Sequence, residues 1–464
     1  IDEEVATQAM KGRMEPFFYV TVGCGMALAT SVFTMISGLF EVVGGLGVLL
    51  GIALAGLFCL VIALSIGELA SMYPSAPAIR TYLKTAFGDR VSLVLVYLYL
   101  ISVILVAGLE SFIFSQVFQA VFPNAATIPT VLSLIGVVLA VNLAGLDLPR
   151  STQMITTVLA VMLIATSGVY GLVMPKIDFS TSIGAQAGAD LLLTLPAASG
   201  MAIFLFMGFE WVTPLGMRPK SYQWHVPVSM PIAVGVLVIT FELFVLGAAS
   251  QLPRSAIAST PIPHVPYLAT LYGPVGVYLA LGLALLATIS TFNAGIMGGS
   301  RLIYMLAREG NLPGWCASIS LRTSAPVGSI LLLGGSTLAS AIVVVTWRIE
   351  VLVAVIGAAI MCVIYAAFLL AALVLRKRRP EAARPFRSPV WSPIQWAGVI
   401  VLPFMGLQTL FSQPDWGVWP VLGTGAAVTL AALLAWRYRT ASRQEPRGNQ
   451  APLVVSPEPG REGC

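Results

Sequence analysis

Charge is the scarcest property of this chain. Only 10% of its residues are Asp, Glu, Lys or Arg, against roughly a quarter in soluble globular domains. With 58% hydrophobic residues and a mean hydropathy of +0.91, the solvent this sequence fits is lipid. A single soluble core does not grow to 464 residues. Apolar spans of about 20 residues, by contrast, pack into one bundle however many there are. The sequence therefore predicts an all-α membrane protein built as one membrane domain.

Histidine and cysteine are nearly as rare. The two histidines, His225 and His264, lie in proline-rich connections. They leave no zinc constellation and no Ser-His-Asp set, so neither an enzyme nor a resident cofactor is expected. The five cysteines are scattered without a C-x-x-C pair, and Cys24, Cys59 and Cys362 lie inside apolar runs as packing residues. The net charge is +5. Because the basic residues are dispersed through short loops, they argue for membrane topology and against a nucleic-acid partner. The opening stretch from Ile1 to Glu15 is polar and carries acids, so no cleavable signal peptide is expected.

Apolar runs long enough to cross a bilayer recur at about twelve places. They are Phe17 to Leu39, Gly45 to Met72, Val91 to Phe122, Ile128 to Leu146, Thr152 to Met174 and Leu191 to Gly216, then Val226 to Ala249, Pro274 to Ala307, Gly328 to Thr346, Val351 to Leu375, Ile394 to Phe411 and Val418 to Trp436. With the N-terminus inside, all but three of the 25 Lys and Arg residues fall on the cytoplasmic side, the exceptions being Lys176, Arg254 and Arg348. That bias predicts a multi-pass protein of the plasma or inner membrane with both termini cytoplasmic. The basic stretch from Arg376 to Arg387 is read as a stop-transfer loop, with binding of anionic lipid head groups as its alternative. Residues 1–16 form an N-terminal cytoplasmic segment and 17–437 the membrane domain. Residues 438–464, rich in Pro, Gly and charge, form a disordered tail.

Two spans look interrupted. The first carries small and hydroxylated residues at its midpoint, from Gly23 and Gly25 to Ala29, Thr30 and Ser31. The sixth carries Phe206-Met207-Gly208-Phe209-Glu210, followed by Pro214 and Gly216. A glycine lets a helix open and offer backbone groups to a solute, and a carboxylate at membrane depth normally marks a substrate or ion path. Any one of these glycines is explained by close helix packing. Interruptions at the first span of each five-span half point further, to an inverted repeat holding a solute near the midplane.

At this point the chain resembles a family, the amino acid-polyamine-organocation (APC) transporters, over about its first ten spans. Gly67-Glu68-Leu69-Ala70-Ser71-Met72-Tyr73-Pro74, with Tyr82 and Phe87-Gly88, is similar to the family's end of span two. Phe204 to Glu210 resembles its aromatic-glycine-acid signature. Ser290-Thr291-Phe292-Asn293-Ala294, with Gly299-Ser300-Arg301 and Arg308-Glu309-Gly310-Asn311-Leu312-Pro313, is similar to span eight, and Arg384-Pro385-Phe386-Arg387-Ser388-Pro389 to the stretch before span eleven. The resemblance implies a repeat of five plus five spans, 17–174 and 191–375, followed by two further helices at 394–436. It also implies a small solute, an amino acid or amine, moved by alternating access and bound between spans one, three, six, eight and ten. Ala29, Thr30 and Ser31 match the positions whose NH groups receive a carboxylate, Met207, Gly208 and Glu210 the sixth-span break, and Phe204 an aromatic gate.

The sequence departs from the family in two places. Where the family writes Gly-Ser-Gly-Ile-Phe in span one, this chain has Ala29-Thr30-Ser31-Val32-Phe33, which curtails close backbone approach and weakens the expected carboxylate recognition. Ala160 aligns with a lysine that many members carry in span five, which disfavours a lysine-based proton mechanism. A sodium site using the Ser290 and Thr291 hydroxyls stays open, and exchange or facilitated transport is preferred.

Further polar residues lie at membrane depth. Glu110 in span three attracts an ammonium group if it faces the solute path, and otherwise reads as a protonated carboxyl bonded to a neighbouring span. Glu242 in span seven fits the second description better. Glu68 pairs with a loop arginine. Asn293 is either a ligand or a helix contact, and Tyr97 and Tyr99 either line the path or sit in the interface belt. The first functional expectation is a secondary transporter of an amino acid. Its rival carries a polyamine or amino alcohol without a carboxylate, and a third reading is a receptor or scaffold that does not transport. A homo-oligomer is compatible with the sequence, which is silent on stoichiometry.

Overall fold

The computed structural model describes residues 16–73, 78–145, 150–178, 189–215, 219–320, 322–323, 325–412 and 416–444. Expectations resting on the first fifteen residues, on Pro74, Gly216 and Asp415, and on the tail beyond Gln444 lie outside these. The described residues contain no strand. Among the described residues ten helices are long and apolar enough to cross a membrane, a bent pair makes an eleventh, and the shorter apolar helix Thr127–Leu143 stands at the place of the expected fourth span.

Span 1 is the bent pair Pro16–Ala27 and Ser31–Val42. Spans 2 to 5 are Gly45–Met72, Asp89–Val121, Thr127–Leu143 and Arg150–Val173. Span 6 begins as the helix Ala189–Ala202 and continues as two 3-10 segments, Ile203–Phe206 and Phe209–Leu215. Spans 7 to 10 are Pro219–Gln251, Pro274–Arg308, Val327–Trp347 and Glu350–Arg378, and spans 11 and 12 are Ser392–Leu410 and Trp419–Gln444. Span 7 starts seven residues before the expected Val226, its first turns carrying the polar stretch that a hydropathy window rejects. Span 12 runs on to Gln444, into the stretch expected to be tail.

The packing separates the spans into partners. Span 7 lies along spans 2 and 5, span 3 along spans 9 and 10, and span 11 along span 10. Span 10 is the most enclosed, with 78% of its apolar window buried against 22% for span 12, so the last two helices flank a ten-span core. Outward-facing side chains are apolar, as at Leu192, Leu193, Ile400 and Trp436, each at least 70% exposed. In lipid such faces need no cover. Spans 5 and 7 touch at Gly168 and Gly247, where a Cβ on Gly168 would lie 2.5 Å from the Leu243 carbonyl oxygen. Small residues are what bring membrane helices this close.

Short helices that hydropathy cannot see fill the connections. Ala78–Phe87 joins spans 2 and 3, while Arg254–Ala258 and His264–Tyr272 join spans 7 and 8. The second of these connections straps the C-terminal half of span 1. Arg254 donates to the carbonyls of Phe40 at 2.7 Å and Glu41 at 3.2 Å, a cation at a helix C-terminus. Thr34 and Ser37 donate to the carbonyls of Pro261 and Ala258.

At the opposite end the expected partner of Glu68 is found. Glu68, 1% exposed, takes Arg376 at 2.5 Å and Arg384 at 3.2 Å, and it also accepts the Ser388 NH at 3.0 Å. Arg378 donates to the Ala86 carbonyl. Arg376 and Arg384 of the basic stretch are thus held by Glu68, while Arg378 is exposed beside its bond to Ala86. Arg80, equally buried, joins Asp89 at 2.5 Å to Glu309 at 3.1 Å. Breaking a buried ion pair on one side leaves the other charge uncompensated, at a cost of about 3 kcal/mol. Glu68→Ala is accordingly expected to lower the thermal midpoint of the detergent-solubilised protein well beyond Lys84→Ala, an exposed control, as read by intrinsic fluorescence.

Candidate functional site

Span 1 stops because its sequence stops paying for helix. The last bond of the N-terminal half runs from Leu28 N to Cys24 O at 2.9 Å, and the chain resumes with tight bonds from Val32 to Ala29 and Phe33 to Thr30. Between them Leu28, Ala29 and Thr30 are non-helical and the axis turns by 56°. The NH groups of Thr30 and Ser31 then have no carbonyl one turn back. Orphaned NH groups at a helix start carry positive partial charge and bind anions.

Their partner is Glu110. Its Oε1 accepts from Thr30 N at 2.9 Å and its Oε2 from Ser31 N at 2.8 Å. Oε1 also accepts from the Thr288 hydroxyl of span 8 at 3.0 Å. Glu110 is fully buried. Glu110 thus bonds the backbone of the break and a neighbouring span.

Span 6 opens in a parallel way. Met207 is extended, and Gly208 has φ +110°, where a side chain is strained. Space forbids one as well, since a Cβ on Gly208 would lie 2.5 Å from Met26 Cγ in span 1. The Gly208 NH is taken by Glu210 Oε2 at 3.2 Å. Glu210 further accepts from Tyr99 at 2.8 Å and Tyr365 at 2.9 Å, hydroxyls from spans 3 and 10. Each break thus has its own carboxylate.

The two breaks border one cavity, with about 870 Å³ of free space including its mouth. Ala29, Ser31, Glu110, Phe204, Met207, Gly208 and Glu210 all line it, and Thr291 does too. Most of the remaining wall is apolar, with Val103, Val106, Phe292 and Ile296 among it, and no Lys or Arg lines it. Thr30 takes part through its backbone NH. Asn293 stands apart as a helix contact, its amide donating to Gln153 Oε1 at 3.2 Å. Tyr99 lines the cavity, whereas Tyr97 bonds the Asn311 carbonyl. Glu242 lies outside the cavity, and its Oε1 is buried without the expected partner.

Gln153 is the residue that sequence reasoning missed. It reaches from span 5 to the junction of spans 1 and 8, donating to Ser290 Oγ at 2.5 Å, with Thr157 Oγ1 3.1 Å from the same oxygen. Thr291 donates to the Gly25 carbonyl at 3.1 Å. An amide NH₂ thus meets the Ser290 hydroxyl that the sodium expectation used, and the junction is uncharged. The signal was there: Gln153 and Thr157 stand four apart on one face of an apolar span. No group of three or more His, Cys, Asp or Glu is placed to hold a metal among the described residues.

The fold and the paired breaks define a class, membrane carriers with two discontinuous helices around a central site. Solved structures of the Eremococcus coleocola manganese transporter, one in complex with an aromatic bis-isothiourea substituted compound, share this fold at TM-score 0.55 and 12% identity, over 92% of this chain and 94% of theirs. An uncharacterized amino acid permease of Bacillus subtilis, YecA, is 26% identical over 277 residues, which span 57% of this chain and 61% of that relative. The human cystine/glutamate transporter is 22% identical over 90% of this chain and 83% of its own length. The human large neutral amino acids transporter small subunit 2 is 23% identical over 88% and 77%. The family described as amino acid permease matches residues 17–433, and the chain belongs to it: a family of transporters, not of enzymes.

Removing an acceptor from buried donors costs about 1 to 3 kcal/mol for the groups left behind. Glu210→Ala strands an NH and two hydroxyls at once. It is expected to destabilise the solubilised protein more than Tyr99→Phe or Tyr365→Phe, each of which gives up one bond, in the same thermal unfolding assay.

Proposed function

We propose that this protein is a secondary transporter that carries a small ammonium-bearing solute by alternating access, the solute resting in the cavity between the breaks of spans 1 and 6. The observation that carries the proposal is the juxtaposition of two opened helices and two carboxylates around one apolar-walled space without a basic residue. Spans 1, 2, 6 and 7 form the moving group, and the remaining core spans its frame. Both termini are cytoplasmic, residues 17–437 are the transport domain, and 17–174 and 191–375 are its two repeats. Phe204, at the cavity wall, gates the solute.

Membership of an amino acid permease family favours an amino acid as that solute. The geometry at Glu110 favours the rival, an amine without a carboxylate. The uncharged contact among Gln153, Thr157 and Ser290 supports exchange or facilitated transport over coupling to sodium or to a lysine proton.

Purified protein in liposomes is expected to take up a labelled amine or amino acid with saturation, and faster when the lumen is preloaded with unlabelled solute. Replacing external sodium by potassium should leave the rate unchanged. Gly208→Leu, which cannot hold φ +110° beside Met26, should remove uptake while the protein stays monodisperse in detergent. Binding without flux for the unmodified protein would turn the reading to a receptor.

A further inference from the structure

The anion seat of span 1 is already occupied by the protein itself. In a broken helix of this kind the free NH groups at the restart are the place for a solute carboxylate. Here Thr30 N and Ser31 N both point at Glu110, one to each oxygen, at 2.9 and 2.8 Å. A solute carboxylate would find neither NH free, and it would meet a resident carboxylate in a space without Lys or Arg. The residues of the break agree with this. Ala29, Thr30 and Ser31 carry Cβ atoms where close approach of a solute to the backbone calls for glycine.

What remains unsatisfied at the seat suits a cation. A carboxylate has roughly four lone-pair positions. Three of those on Glu110 are used, two on Oε1 and one on Oε2. Ser31 lines the cavity as well, and its hydroxyl is fully buried and without a hydrogen-bond partner. A free position on Oε2 and an unpaired Ser31 Oγ are two acceptors for the N–H groups of one ammonium. The rest of the wall around them, Val103, Val106, Phe204 and Phe292, offers hydrocarbon and aromatic surface to a side chain.

We propose that Glu110 is a built-in occupant of the carboxylate seat and the specificity-determining residue of the cavity, so that this protein carries organic amines lacking a carboxylate and rejects the corresponding amino acids. The proposal rests on the transporter reading above and names the substrate class of the same site. Ser31 Oγ is the second ligand of the ammonium. Glu110 has two roles that separate on mutation: capping the break, which any acceptor oxygen serves in part, and presenting a negative charge, which only the acid serves.

The test compares matched pairs in proteoliposomes: isoamylamine against leucine, ethanolamine against serine, and putrescine against ornithine. For the unmodified protein, the amine of at least one pair is expected to enter faster than its amino acid by about tenfold or more. Glu110→Gln keeps an acceptor oxygen and is expected to stay folded by size exclusion while losing that preference. Glu110→Ala frees the Thr30 and Ser31 NH groups and is expected to shift binding, read by thermal stabilisation in detergent, toward the amino acid of the pair. Ser31→Ala should weaken the amine and leave the amino acid unaffected. Equal or better uptake of the amino acid in every pair by the unmodified protein would overturn the role of Glu110 and leave the transporter reading standing. Uptake of neither member of any pair would overturn both. A uniform loss for all solutes in Glu110→Gln with folding intact would reduce Glu110 to a cap and sink the proposal as well.

Discussion

A helix cannot open inside a bilayer unless its freed NH groups find acceptors, because lipid supplies none and each orphan costs several kcal/mol, on the order of a large share of total stability. Everything central to this protein follows from how that demand is met. At span 1 the acceptor is Glu110, brought from span 3; at span 6 it is Glu210, two residues beyond the NH it caps. The carboxylates hold the breaks open, and the breaks in turn give two acids a reason to sit in an apolar interior.

The acids divide by position according to what compensates them. At one end of the bundle Glu68, Asp89 and Glu309 pair with arginines, tying the connection between spans 10 and 11 to span 2, and that between spans 2 and 3 to the end of span 8. At the cavity Glu110 and Glu210 are held by NH and OH donors alone. Donors without formal charge orient a carboxyl group by hydrogen bonds alone, whereas an arginine adds an opposite charge. The cavity they line is bordered by two spans, neither of which is continuous through it.

The two halves of span 1 have different neighbours. The connection between spans 7 and 8 grips its C-terminal half through Arg254 and two hydroxyls. Its N-terminal half meets span 8 and span 5 at Gly25, Ser290 and Gln153. The halves are thus fastened separately across a 56° bend.

The sequence alone determined the solvent, the number and order of the spans, the place of both breaks and the pairing of Glu68 with a loop arginine. These depend on local hydropathy, on glycine and on short motifs, and each is written in consecutive residues. Only the tertiary structure decided what fills the anion seat, because Glu110 lies 80 positions from Thr30 in the chain and its direction is set by how span 3 packs. The same holds for Gln153, which reached Ser290 across 137 positions while Asn293 turned from candidate ligand into its partner. Periodicity assigns a residue to a helix face; which neighbour that face meets is a property of the bundle, and in this protein it brings Glu110 to the break of span 1.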